Sequence, residues 1–357
     1  MGAVKLLRGA GVAFCLASGL LQGAATGANA AVLPAGTVTL FSLPKEPEGA
    51  PHFGTSHITA GPDGNLWFTE NLLFPPNIFS ELARITPQGN FTGVLTGVFG
   101  SFDLPGMAAG PDGNLWLTEH QACGLDRVSP GGTFTRFTPG PTGCPWGIAP
   151  GPDGNVWYTG WTDVIGRVTP AGTVTEFSSG ITRGSQPLQI AAGPDGNLWF
   201  TEFAGNRIGR ITPAGTVTEF SSGITAASEP DEITAGPDGN VWFTEDRYNR
   251  IGRITPTGTV TEFSIGAPGV GVTAGPDGNV WFAELERHEI GRITPAGTVT
   301  EFPIPVAATG ITAGPDDNLW FTATEQIGRI SAGVCDRAHG RDHEHCHGRE
   351  QRPGMAP

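Results

Sequence analysis

Along most of the chain, β-branched and aromatic residues gather in short runs, and each run is cut off by a cluster of glycine, proline, aspartate and asparagine. The clearest stretch runs from Ile233 to Phe263: Ile-Thr-Ala, a Gly-Pro-Asp-Gly turn, Val-Trp-Phe-Thr-Glu, a loop, Arg-Ile-Gly-Arg-Ile, a Thr-Pro-Thr-Gly turn and Val-Thr-Glu-Phe. It reads as four short strands, because Val, Ile, Thr, Phe and Trp suit a pleated surface and no stretch has a helical period long enough to compete. The turns have their own chemistry. Pro237 presets φ, Asp238 tolerates the corner, and Gly239 takes the positive φ that closes a hairpin; Thr255 to Gly258 turn the chain again between strands three and four. The predicted class is all-β.

The same unit returns along the chain. Gly-Pro-Asp-Gly, or Gly-Pro-Asp-Asp in its last copy, begins at Gly61, Gly110, Gly151, Gly193, Gly236, Gly275 and Gly314, each followed at fixed spacing by a tryptophan. Four-stranded units with a period of about forty residues predict a β-propeller, since one such sheet cannot bury both faces until neighbours stack on it. Seven copies predict seven blades. The seventh stops at Arg329-Ile330-Ser331-Ala332-Gly333 without its last strand, and a matching segment, Ala35-Gly36-Thr37-Val38-Thr39-Leu40-Phe41, stands alone at the other end of the chain. Pairing that N-terminal strand into the last blade would close the ring and remove exposed sheet edges. The expected organisation is a signal peptide over 1–30, a seven-bladed propeller over 31–333 and a His/Cys-rich tail over 334–357.

The termini set the compartment. Lys5 and Arg8 precede an apolar run from Gly9 to Leu21, and Ala28-Asn29-Ala30 fits a cleavage site, so a secreted protein is expected. The run is too short for a membrane span. Four cysteines then remain in an oxidising setting, where Cys123 and Cys144, in loops expected on one side of the propeller, are placed to bridge; Cys335 and Cys346 offer a second pair. The formal charge of −14 becomes −16 once the two cations Lys5 and Arg8 are removed. So acidic a ring repels nucleic acid and anionic membrane and implies no specific charged partner. In the tail, His339, His343, His345 and His347 form either a site for zinc, copper or nickel or a polar segment with adventitious metal affinity.

In a repeat protein the informative positions are those that break the repeat at the mouth of the funnel. Blades four to six are nearly regular; blades one to three are not. Blade one places His57 before its first strand, Glu70 at the end of its second, and then a segment from Asn71 to Ala83 that is six residues longer than its counterpart in blade four. Leu72, Phe74 and Phe79 make that segment, read as a rim loop, either a local plug or an apolar contact surface for a ligand. Blade two has His120 after Glu119. Blade three adds Trp146 and Trp161, outside the seven repeated tryptophans, as candidates for an aromatic ligand platform. His57 and His120 are candidate bases or metal ligands, or histidines simply hydrogen-bonded into loops. Glu70, Glu119, Glu202, Glu245 and Glu284 recur at one strand end, which favours a structural hydrogen bond, although Glu70 or Glu119 could hold a divalent cation. Asp231 and Glu232, at the entrance to blade five, are either a solvated loop or a recognition element for a cationic or hydroxyl-rich ligand. The expected ligand is a small molecule or peptide at the mouth, bound by a monomer.

The blade pattern Gly-Ile-Thr-x-Gly-Pro-Asp-Gly-x-Leu-Trp-Phe-Thr-Glu, followed by Asn-Arg-Ile-Gly-Arg-Ile-Thr as at Asn206 to Thr212, resembles the streptogramin B lyases, also called virginiamycin B lyases. The resemblance implies a seven-bladed propeller that linearises a cyclic depsipeptide antibiotic by breaking an ester C–O bond through elimination. It also implies a histidine base entering the last blade, a glutamate-held magnesium and a second histidine in the blade before. Here those positions read Thr309, Ala307 and Val270, and Ala323 or Thr324 stands at the metal-ligand position after Trp320-Phe321, with Glu325 one step further on. Two functions remain: a related elimination run from another sector, with His57 as base and Glu70 or Glu119 on a cation, or a secreted, non-catalytic binding propeller for a peptide, glycan or envelope component. A sugar-lactone hydrolase of the related propeller enzymes fits less well, because it usually goes with six blades.

Overall fold

Every Gly-Pro-Asp turn folds around its aspartate. In blade four, Asp195 Oδ1 accepts the indole N–H of Trp199 at 3.0 Å and Oδ2 accepts the Asn197 side-chain amide at 2.8 Å. Arg210, from the third strand, lies 3.8 Å from the same carboxylate and 5.5 Å over each of the Trp199 and Phe220 rings. Its guanidinium also donates to the carbonyl of Pro256 in the next blade at 2.8 Å. One short motif thus closes a hairpin, fixes a tryptophan and ties two blades together.

The structure, a computed structural model, describes residues 33–44, 52–74, 77–100, 106–120, 122–140 and 143–334, the side chains of 52–53, 72–74, 77–79 and 93–100 excepted. The expected signal peptide, the tail with His339, His343, His345 and His347, and the Cys335–Cys346 pair lie outside the described residues. Among the described residues, 28 strands form seven antiparallel four-stranded sheets and there is no helix. The blades follow the chain: one over 52–100, two over 106–137, three over 145–177, four over 187–220, five over 230–264, six over 269–303, and seven over 308–331.

Blade seven takes its outermost strand from the N-terminus. Val38–Ser42 pairs antiparallel with Gln326–Ser331, Val38 opposite Ile330 and Ser42 opposite Gln326. Phe41 then stacks on Trp320 at 5.4 Å, as Phe220 stacks on Trp199 in blade four. The contacts continue into blade one: Trp320 is buried with Ile58, Leu66 and Phe68, and Arg329 donates to the Pro87 carbonyl at 3.0 Å. Gly89, at φ +87°, lies so close under the Phe41 ring that a Cβ there would come within 2.1 Å of it. Each blade's tryptophan packs in this way against the next blade, Trp199 for instance with Ile233, Val241 and Phe243, so the core is a belt of inter-blade layers.

The segment from Asn71 to Ala83 is not a rim loop but the far half of a long hairpin, in which Leu66–Phe74 and Asn77–Ile85 pair in unbroken register as far as Phe74 opposite Asn77. Strands two and three of blade four are five residues each; these are nine. The apolar residues that marked the segment as an insertion have high strand propensity, and continuing the ladder pairs backbone groups that a loop would leave to water. The side chains of Leu72, Phe74 and Phe79 are outside the described set.

Candidate functional site

A threonine near the end of the second strand stitches the inner strands together around the central channel. Thr201 Oγ1 donates to the Asp231 carbonyl of the next blade at 2.7 Å and accepts the Gln189 N–H of its own at 3.0 Å. Thr159 does the same for Leu188 and Gly147, and Thr69 and Thr244 accept the N–H groups of His57 and Glu232. The slot lies four residues before each Gly-Pro-Asp turn, and only in blade six, where Ala283 replaces the threonine, is it not held in this way. Its occupants are His57, Gly106, Gly147, Gln189, Glu232, Gly271 and Gly310 in blades one to seven. Glycine leaves space; the three polar side chains are set on rigid backbone around it.

A cavity of about 350 Å³ opens at this slot. Blade one contributes His57, blade three Trp146 and Trp161, blade four Gln189 and Phe203, and blade five Asp231, Glu232 and Asp246. Five residues singled out from the sequence (His57, Trp146, Trp161, Asp231 and Glu232) therefore line one cavity. Asp231 and Glu232 belong to the strand Pro230–Ala235, not to a solvated loop. The ring centroids of Trp146 and Trp161 are 5.0 Å apart, and His120 meets them edge-on at 4.9 and 5.6 Å. His120 supports the pair from behind and does not line the cavity. Trp161 is 38% exposed, among the most exposed large apolar side chains described; a ring that is edge-braced yet open to solvent is a stacking surface. Behind it, Cys123 and Cys144 form a disulfide between the loops flanking this sector.

Burial sets the protonation of the polar members. It lowers His57 to about 4, so the imidazole is neutral at pH 7, and its buried Nδ1 has no hydrogen-bond partner among the described residues. Burial pushes the Glu232 and Asp231 carboxyls upward, helped for Glu232 by Asp231 and for Asp231 by Asp246. Glu232 accepts the Gln189 amide at 3.3 Å. A neutral base, a carboxyl that resists ionisation and two indoles suit an uncharged, amide-bearing and partly apolar ligand.

The recurring glutamates do something else. Glu119, Glu202, Glu245 and Glu284 are buried at strand ends away from this cavity, whereas Glu70, expected at a strand end, is buried midway along Leu66–Phe74 because that strand is extended. Glu119 is bound by Arg136, which also holds Asp126 at 2.9 Å, so a cation already faces it. Glu70 stands opposite Glu81 in the ladder.

The sequence reading missed Gln189, Phe203 and Asp246. Gln189 was legible in principle, because it occupies the repeat slot of His57 and Glu232. Phe203 and Asp246 follow strand two, where Trp161 also lies one step past its strand, and only the curvature of the ring shows that they meet.

The positions at which the resemblance implies a base and a metal ligand hold scaffold groups. Thr309 Oγ1 donates to the Thr55 carbonyl at 2.9 Å, and Val270 packs against the core of blade seven. Ala307 and Ala323 line a second cavity of about 570 Å³ between blades six and seven, with His288, Leu43 and Glu325. Magnesium lacks a ligand set there: no carboxylate stands at 307, 309 or 323, Glu325 is the one carboxylate lining the cavity, and no group of three ligating side chains gathers there among the described residues.

The profile described as the Virginiamycin B lyase family matches residues 101–339. Among solved structures the chain is similar to a streptogramin B lyase, with 33% identity over 83% of this chain and 97% of that one, at a TM-score of 0.70. It is similar at 32% to the selenomethionine-substituted virginiamycin B lyase of Staphylococcus aureus, over 83% and 99% of the two chains, TM-score 0.70. The same figures hold for a catalytically inactive form of that enzyme crystallised with quinupristin. No curated sequence matches the chain. On the extent of the profile match and the identity to these structures, the chain belongs to the virginiamycin B lyase family.

Proposed function

We propose that the protein is an exported binding propeller for an uncharged, peptide-like ligand of the cyclic depsipeptide kind, and that it does not run its family's elimination from the family's own positions. The supporting observation is a redistribution. Thr309, Val270, Ala307 and Ala323 offer neither a base nor a metal-binding carboxylate, whereas His57, Trp146, Trp161 and Glu232, from blades one, three and five, converge on one cavity. Trp146 and Trp161 would stack on apolar side chains of the ligand, Gln189 and Glu232 would pair with its amides and carbonyls, and the His57 nitrogen would accept one N–H. The Cys123–Cys144 bridge is in keeping with export to an oxidising compartment. Among the described residues no helix is long and apolar enough to cross a membrane.

One observation favours a second reading, elimination from the displaced sector. The buried His57 Nδ1 has no hydrogen-bond partner among the described residues and faces the cavity that would hold the ligand, so it is open to take a proton, although burial lowers its basicity. Incubating a streptogramin B with the purified full chain, followed by liquid chromatography and calorimetry, separates the two. Binding with the antibiotic recovered intact supports the binding propeller; conversion that disappears in His57→Ala supports the elimination; neither binding nor conversion contradicts both.

A further inference from the structure

Blades two, four, five and six bury a glutamate at the end of strand two: Glu119, Glu202, Glu245 and Glu284. In three of them an arginine answers it. Arg136 binds Glu119. Arg207 stands opposite Glu202 in the ladder and 4.0 Å from Glu219 of the outer strand; Arg250 stands opposite Glu245 and 3.1 Å from Glu262. In blade six the residue opposite Glu284 is Glu289, and the outer strand supplies Glu301. Two carboxyls and an arginine have become three carboxyls.

Oxygen atoms of Glu284, Glu289 and Glu301 all lie within 4.8 Å of one another. Glu284 is fully buried; its Oε1 accepts the Ala267 N–H at 3.1 Å, and its Oε2 has no hydrogen-bond partner among the described residues. Arg287, from the adjoining loop, offsets part of the charge at 2.9 Å from Glu289 and 4.0 Å from Glu301, but its side chain is 47% exposed and it has no ion pair with Glu284. Gly266 is where a Cβ would come within 2.5 Å of Glu301 Oε1, so the glycine lets the loop lie against the cluster.

A buried carboxyl without a cation must keep its proton or find a positive charge. Blades four and five take the first course in part, since burial and the neighbouring carboxylate push Glu202 and Glu245 up to about 8. Three carboxylates with oxygens at this spacing are instead the donor set of a hard cation, which takes several oxygens from carboxylates, carbonyls and water. We infer that blade six holds a divalent cation of the calcium, magnesium or manganese class between Glu284, Glu289 and Glu301, in the place that arginine fills in its sister blades. Arg287 swings to solvent when the ion enters. The site lies on the second, third and outer strands of blade six, away from the position that the family resemblance implies, and it brackets the loop carrying His288 to the second cavity.

The test titrates calcium, then magnesium and manganese, into chelator-treated full chain, read by calorimetry and by the shift in thermal midpoint. The native protein is expected to bind one equivalent and to melt higher. Glu289→Arg restores the arrangement of blades four and five and should lose both the heat and the shift while melting no lower than the cation-free native protein; Glu301→Gln should weaken both. Absence of a cation response in the native chain overturns the proposal, as does an equal response in Glu289→Arg, which would place the ion elsewhere.

Discussion

The outer belt of the ring and its inner mouth are built from the same repeat, yet they differ in what they tolerate. In the belt, aspartate, tryptophan, arginine and the stacked phenylalanine recur from blade to blade with nearly the same distances: the Trp-to-Phe centroids are 5.4 Å apart in blades three, four, six and seven. In the mouth, one backbone slot, facing a threonine in every blade but the sixth, where Ala283 stands, carries histidine, glutamine, glutamate or glycine. The belt therefore specifies a closed ring, and the mouth is free to vary because its backbone is fixed independently of its side chains. Function can move around the ring without disturbing the fold.

The comparison can be broken first in the belt. Trp199→Ala removes a fully buried ring from an inter-blade layer and should cost about 3–5 kcal/mol, read by urea unfolding. A loss below about 1 kcal/mol, the scale of surface changes, would mean that the layers are not the core. Next comes the brace beside the irregular sector: Cys123→Ser with Cys144→Ser opens a closure spanning 21 residues and should cost about 3 kcal/mol by the loop-entropy relation.

A third prediction concerns pH. Glu202 and Glu245 keep their protons up to about 8 in the folded chain, against an ordinary value of 4.5. The folded state therefore binds more protons between those values, so their contribution to stability is complete below pH 4.5 and is lost as pH rises through 8. Stability is expected to fall as pH rises from 5 to 9, by at most roughly 4 kcal/mol for each group, and Glu245→Gln should remove its share of that loss. His57 works in the opposite sense. Its value falls from 6.5 to about 4, so stability from that group is present above 6.5 and is lost as pH falls toward 4.

The smallest stability effect belongs to the mouth. Trp161→Ala, at a partly exposed ring, should change stability by no more than about 0.5 kcal/mol while removing ligand binding. A large loss of stability would make Trp161 part of the scaffold and erase the distinction between belt and mouth.

The belt was legible in the sequence because its chemistry is local: Asp195 meets Trp199 four residues on, and the turn, strand and tryptophan lie in one short string. The missing strand of blade seven was legible for the same reason, since its replacement repeats the motif. The mouth was legible only residue by residue. His57, Trp146 and Glu232 stood out as departures, but their meeting depends on three blades far apart in sequence, and Gln189 was hidden as an ordinary polar residue before a regular turn. The arm of blade one was misread because two prolines in an apolar insertion look like a loop, while the flanking residues are strong enough strand formers to carry the ladder on.

The central claim is that ligands bind where the repeat breaks, in the His57 cavity, and not at the family positions of blade seven. Calorimetric titration of a streptogramin B into the native chain, Trp161→Ala and Ala307→Asn tests it most directly. The account predicts binding to the native chain, loss in Trp161→Ala and unchanged affinity in Ala307→Asn; loss in Ala307→Asn with binding kept in Trp161→Ala would contradict it.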